Sequence, residues 1–251
     1  MRNSIINSKK TYIILGILFI FVGWTIASLI VDNNYVIPSV IEMLDALGDL
    51  FVQGHTYIVL GYTLVRLFMS VLFCLVLGIL FASISYISYR FENFVKPIIV
   101  LFKSLPLAVV ITLILLMFSD DLAVYYIVSV VVFPIIYEGT LSGLNSISKD
   151  IIDEVKLVSK INAEVVYKIH LKMSLPHILT SLIQSLGLGL KVLVMAEYIS
   201  QPEYSIGNEI IYYKDISIEM NYVYAWSFIL ISFILVFDLF ISKLTKRLSF
   251  V

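Results

Sequence analysis

The chain has 251 residues, of which 60% are hydrophobic and only 14% charged, and its mean hydropathy is +1.00. A soluble globular domain is about 45–50% apolar and about 25% charged, so this composition excludes an ordinary soluble domain and a disordered chain. It predicts an all-α, polytopic membrane protein. One helical span needs about 20 residues, so six spans fill roughly half of the chain and leave no room for a separate catalytic domain.

The first apolar run covers residues 12–31 and follows the basic residues Arg2, Lys9 and Lys10. Its core is longer than that of a secretory signal, and no small-residue cleavage site follows it, so it predicts an uncleaved span. Residues 38–52 then place apolar and acidic side chains on opposite helix faces, after an opening proline. This pattern predicts an amphipathic helix that is too short and too acidic to span a membrane.

The remaining apolar runs predict five more spans. The third of the six spans is interrupted at residues 104–106, because Pro106 removes a backbone donor and forces a kink or a break. Residues 145–177 are too polar to span and too helix-patterned to be a linker. The whole chain, 1–251, is therefore predicted to be a single transmembrane domain. The five further spans are 64–87, 97–118, 122–144, 178–200 and 222–244.

The charges are segregated by loop, although the formal net charge is only −1. Every basic residue except Arg66, Lys191 and Lys214 lies at a terminus, around the connection between the second and third spans, or in the 145–177 loop. The intervening loops are acidic. Because basic residues beside spans stay in the cytoplasm, both termini and the 145–177 loop are predicted to be cytoplasmic, and the 38–52 helix to be periplasmic or extracellular.

The 145–177 loop contains two short amphipathic patterns, one over residues 151–160 and one over residues 163–171. A solvated connector is the plain interpretation of such a loop. The alternative is a docking surface for a soluble partner, because two short helices held between two spans can transmit a rigid push.

The segment DEVKLVSKINAEVVYKIHLKMSLPHI, residues 153–178, resembles the EAA loop of type I, binding-protein-dependent ABC importer permeases. Further similar landmarks follow the family's order over about residues 36 to 250. They include Pro38, the opening of the second span at Thr63–Arg66, the break around Pro106, Phe133–Pro134 and Ala196–Glu197. Within the EAA loop, Asp153, Glu154 and Val155 stand at the Glu-Ala-Ala positions, Ser159 at the glycine with Lys160 after it, and Ile169 and Leu171 at the motif's Ile and Leu.

This resemblance implies the type I ABC importer permease fold, in the branch that carries nitrate, sulfonates and taurine. It implies a transport subunit in a bacterial plasma membrane, with no cofactor of its own. ATP would be bound by two copies of a partner ABC ATPase subunit, which fits the absence of a P-loop motif from this sequence. The other implied partners are a second permease chain, forming a homodimer, and an extracytoplasmic solute-binding protein. The EAA-loop residues would couple the permease to the ATPase. The implied substrate is a small organic solute such as a sulfonate, taurine, nitrate or a vitamin precursor.

Ionisable residues within spans are candidates for function. Arg66 lies near the outer end of its span, where it either snorkels or contributes to the substrate path. Lys191 lies deeper and either attracts an anion in the pathway or pairs with Glu197 or Glu138. The predicted pathway residues are therefore Arg66, Pro106, Lys191 and Glu197.

No catalytic or metal-binding spacing is found around His55, His170 and His177. An ATP-independent secondary transporter or channel is the alternative function, which the lack of an evident inverted repeat disfavours. An intramembrane enzyme is a third possibility. It is weaker because the histidines lie outside spans or at their ends.

Overall fold

A computed structural model describes residues 2–158 and 162–248 of the chain. No strand occurs in these two ranges, and π-helical turns lie at Val166–His170 and Tyr212–Ile216. The helices are α1 Arg2–Val31, α2 Val40–Val52, α3 Gly54–Ile87, α4 Tyr89–Ser104, α5 Leu107–Leu115, α6 Asp120–Asn145, α7 Lys149–Val158, α8 Ala163–Val165, α9 Leu171–Met173, α10 Leu175–Ser200, α11 Ile206–Ile211 and α12 Met220–Leu248.

Five of the described helices are long and apolar enough to cross a membrane. Helices α4 and α5 meet this test only as a pair, which bends by 101° at the break. The described chain therefore offers five spans, or six if the bent pair counts as one, as the apolar runs predict. The single helices are Thr11–Val31 of α1, Gly54–Ile87, Asp120–Asn145, Leu175–Ser200 and Met220–Phe237 of α12.

Several helices extend beyond the apolar runs that predict their spans, for example at two starts. Helix α3 begins at Gly54, ten residues before the predicted start of its span, and α10 begins at Leu175 instead of residue 178. Hydropathy marks only the apolar part of a helix, whereas backbone hydrogen bonding continues through the more polar turns at its ends. The predicted bounds are therefore those of the apolar runs, and the helices that contain these runs begin earlier.

The chain divides into two compact units, described here separately. The first comprises the described parts of Met1–Ile58 and Glu209–Ile231. In it, Ser39 and Glu42 form a capping box at the start of α2, which satisfies free backbone N–H groups of the first turn. The indole N–H of Trp24 donates to the carbonyl of Pro38 at 3.0 Å, and the Tyr222 hydroxyl donates to Asp49 at 3.0 Å.

The second unit comprises the described parts of Val59–Asn208 and Ser232–Val251. Its centre is the contact between α6 and α10, where small residues let the helices approach closely. A Cβ atom added to Gly139 would lie 2.3 Å from the Cβ of Ser181. Gly78 of α3 similarly admits Ile136 of α6. These contacts bring α3, α6 and α10 together, and all three helices contribute residues to the candidate functional site.

Candidate functional site

Glu197 is fully buried near the end of α10, and the structure surrounds its carboxylate with donors. Thr63 Oγ1 donates to it at 3.1 Å and Arg66 Nη1 at 3.3 Å, and the backbone N–H of Gly207 donates as well. A Cβ atom on Gly207 would lie 2.2 Å from the backbone nitrogen of Tyr198, so only glycine fits this close to α10. The carboxylate is thus held by α3 and by the segment after α10.

Arg66 is also buried and donates four hydrogen bonds. Besides Glu197, it bonds the carbonyls of Glu203 at 2.8 Å and Tyr204 at 3.0 Å, and Asp121 Oδ1 at 3.0 Å. This planar fork of donors joins α3, the start of α6, the end of α10 and the loop after it. We call Thr63, Arg66, Asp121 and Glu197, with the backbone of residues 203–207, the clasp.

The clasp neutralises its own cation. One guanidinium faces two carboxylates, of which Glu197 is fully buried and Asp121 is 64% exposed at its side chain. An arginine in this setting has no charge left over for a solute anion. The contacts therefore favour a structural role for Arg66 and Glu197, and their predicted place in the substrate pathway stays a prediction.

Lys191 differs from Arg66, because it is exposed in the middle of α10. The alternative that it pairs with Glu197 or Glu138 is wrong in this structure. Glu197 bonds Arg66, and Glu138 bonds Lys103 through both carboxylate oxygens, at 2.8 and 2.9 Å. Pairing between residues so far apart in the chain is set by tertiary packing, which sequence spacing does not reveal.

Pro106 lies at the break between α4 and α5, where its side chain is exposed. It precedes Leu107, the first residue of α5, and no side chain caps that end of the helix. The break coincides with the proline, as the sequence predicts. No described contact tests the predicted pathway role of Pro106.

The predicted coupling residues lie on exposed helical segments. On α7, Asp153 and Glu154 are exposed and Val155 is half-buried. Leu157, one turn further along, is 88% exposed. The sequence places Leu157 in the apolar pattern of residues 151–160, but it does not indicate that this side chain is exposed. The predicted coupling residues Ser159 and Lys160 lie outside the described residues.

The second helical segment, residues 163–173, runs from α8 through a π-helical turn to α9. Ile169 is exposed and Leu171 is half-buried. His170, between them, is fully buried, and its ring centroid lies 5.4 Å from that of Tyr86. Neither ring nitrogen of His170 has a hydrogen-bond partner among the described residues. Burial lowers the pKa of His170, because it disfavours the charged form of the ring. The segment is therefore anchored on one side and exposed on the other.

No metal centre is apparent in the part of the chain that the structure describes, since no three His, Cys, Asp or Glu side chains there are placed to share an ion. The candidate functional features are instead the clasp, Lys191 in the middle of α10, and the exposed residues of α7 and of the 163–173 segment.

Comparisons with known proteins agree with this description. The family model for the "binding-protein-dependent transport system inner membrane component" matches residues 74–250. Two crystal forms of the MetNI methionine ABC transporter in inward-facing conformations, one native and one a SeMet soak, each contain a similar chain. In both, the TM-score is 0.64 at 16% identity, covering 74% of this chain and 93% of the other. At that identity the likeness shows the fold. No curated protein matches the chain.

Proposed function

Because the chain belongs to the family of binding-protein-dependent transport system inner membrane components, and is thus the permease component of an ABC importer, we propose that it forms the solute pathway and is driven by a separate ATPase subunit. The observation that carries this coupling is the exposure of α7. Asp153, Glu154 and Leu157 are all exposed on this short helix, and the ion pair of Asp153 is with Lys156 of the same helix.

The proposed docking surface combines acidic side chains with one exposed apolar side chain. Asp153 and Glu154 offer two carboxylates, and Leu157 offers a side chain that gains most of its hydrophobic stabilisation only when a partner covers it. The 163–173 segment, which follows α7 in the chain, adds Ile169 and Leu171 to this surface. A groove in a soluble ATPase subunit is the partner that this surface fits, by the helix-in-groove mode of recognition.

The orientation and assembly follow from the charge pattern and the resemblance. With the basic loops in the cytoplasm, α7 faces the ATPase and α2 lies outside the plasma membrane of a bacterium. The proposed complex is a homodimer of this chain with two ATPase subunits and an external solute-binding protein. A sulfonate, taurine, nitrate or a vitamin precursor is the proposed kind of solute, on the strength of the family branch that the sequence resembles.

The coupling proposal is tested by reversing the charge on α7. In Asp153→Lys and Glu154→Lys, we expect the amount of ATPase subunit that co-purifies with the tagged permease to fall at least fivefold. Double-mutant studies of close interfacial charges show that losses of about 1.5 kcal/mol or more, roughly tenfold, are ordinary. The measurement is quantitative mass spectrometry of the affinity-purified complex.

The matched control is Asp45→Lys, which reverses an exposed acid on α2. It should leave the co-purifying ATPase at the level of the parent chain. Normal ATPase recovery in both α7 variants would contradict the coupling assignment.

A further inference from the structure

One face of α10 is left uncovered by the rest of the described chain. The buried residues of the helix face α6 and α3, whereas the exposed residues form a separate line. Their spacing of three or four residues places them on a single helix face. We call this line the α10 stripe, and it consists of Gln184, Leu188, Lys191, Met195 and Ile199.

The lysine of the α10 stripe lies at membrane depth. It comes nine residues before Ser200 and sixteen after Leu175, or about 14 Å and about 24 Å from the two helix ends. In a hydrocarbon layer about 30 Å thick, it is far from both surfaces. A charged group at this depth is costly in hydrocarbon, so we expect this ammonium group to meet protein or water.

No acid of the described chain neutralises Lys191. The nearest candidates in sequence and depth are already used, since Glu197 is bonded by Arg66 and Glu138 by Lys103. Where two copies pack with the α10 stripe on the two-fold axis, the stripe meets itself, and it contains no acidic residue. Two such stripes would bring two lysines together with no counter-charge.

We propose that the α10 stripe lines the solute pathway and that Lys191 Nζ binds an anionic group of the transported solute. This inference rests on the proposed permease function and narrows its proposed solutes to small organic acids whose oxyanion is a carboxylate, sulfonate or phosphate. The anion supplies the counter-charge that the protein lacks. Gln184, two turns away on the same face, offers a neutral donor and acceptor to the uncharged part of the solute.

The test needs no knowledge of the solute. Leu188→Cys and Met195→Cys place a thiol one turn from Lys191 on either side. The probes are two water-soluble methanethiosulfonates, one anionic (sulfonatoethyl) and one cationic (trimethylammonioethyl). Labelling rates are measured on the full chain in native membranes, with and without ATP and vanadate. The parent chain, whose single Cys74 is buried, gives the blank, and Leu190→Cys on the buried face is the control.

We expect both stripe cysteines to react and the anionic reagent to be favoured. Adding Lys191→Gln should lower the anionic-to-cationic rate ratio about tenfold, which is the effect of one unit charge roughly 6 Å away on opposite reagents in a water-like medium. Lys191→Arg should preserve the ratio. Absence of labelling at both stripe cysteines would show that the stripe faces lipid or a tight protein contact and would overturn the inference. An unchanged ratio in Lys191→Gln would overturn it as well.

The result is separable from the coupling proposal. If no ATPase subunit co-purifies but the rate ratio depends on Lys191, only the coupling assignment fails. If the ATPase binds normally and the ratio is indifferent to Lys191, only the substrate class fails.

Discussion

Arg66 and Glu197 show how the role of a single residue depends on its contacts. Both are charges within predicted spans, and sequence alone made either a candidate for the substrate path. Residues more than a hundred positions apart cannot be paired from periodicity, so their bond was not predictable. What the sequence did reveal was that each charge needs a partner or water at that depth. Lys191 differs, because its side chain is exposed and is bonded to no acid of the described chain.

Removing the Glu197 carboxylate should destabilise the protein strongly. Glu197→Ala removes the buried one of the two carboxylates that face Arg66, a change that costs about 3–5 kcal/mol in comparable buried pairs. We expect the melting temperature of the purified permease in detergent to fall by roughly 10 °C.

Two further variants make the interpretation specific. Thr180→Ala, an exposed change on the same helix, should shift stability by less than about 0.5 kcal/mol. Glu197→Gln removes the charge but keeps an oxygen acceptor for Thr63 and Arg66, so it should lose less stability than Glu197→Ala and remain less stable than the parent chain. A Glu197→Gln variant as stable as the parent chain would argue against the buried charge as the cause.

At the scale of the helices, composition and periodicity predicted which helices exist and in what order, but they did not predict where each helix begins and ends. The break at Pro106 was predictable because proline acts locally. The early start of α3 at Gly54 was not, because residues 54–63 mix glycine, histidine and tyrosine and carry no strong apolar run. The close packing of α6 on α10 was equally hidden. Sequence shows the small residues of each helix, but not which small residues face each other.

The surroundings of two glycines predict that a glycine-to-alanine substitution lowers stability at residue 139 and raises it at residue 61. Gly139→Ala would place a methyl group 2.3 Å from Ser181 and force α6 and α10 apart, a cost of about 1–3 kcal/mol. Gly61→Ala on α3 meets nothing within 4 Å and should raise stability by about 0.5–1 kcal/mol, because glycine is a poor helix former. Melting temperatures of the two variants should move in opposite directions. Equal shifts of the same sign would contradict the close α6–α10 contact.

For the whole molecule, the segregated charge is the main determinant of orientation. The acidic loops and basic loops alternate along the chain, so a single reversal would place many lysines on the wrong side. The fold itself does not show which side is which. The sequence is therefore the better guide to orientation, and the structure the better guide to contacts.

The orientation is tested with alkaline phosphatase, which is active only outside the cytoplasm. A fusion after Asp121 should show high activity, and a fusion after Lys156 should show background activity. Western blotting of both fusions controls for expression. Phosphatase activity after Lys156, with none after Asp121, would mean that the chain is inserted the other way.

The clasp also limits which parts of the permease are free to move. Arg66 and Glu197 bind the segment after α10 to α3 through charged bonds and backbone bonds, and separating them would leave a carboxylate stranded in the protein interior. These ends of α3 and α10 should consequently travel as one rigid body during transport. Bending then falls to places with few bonds to break, and the uncapped junction of α4 and α5 is the natural hinge.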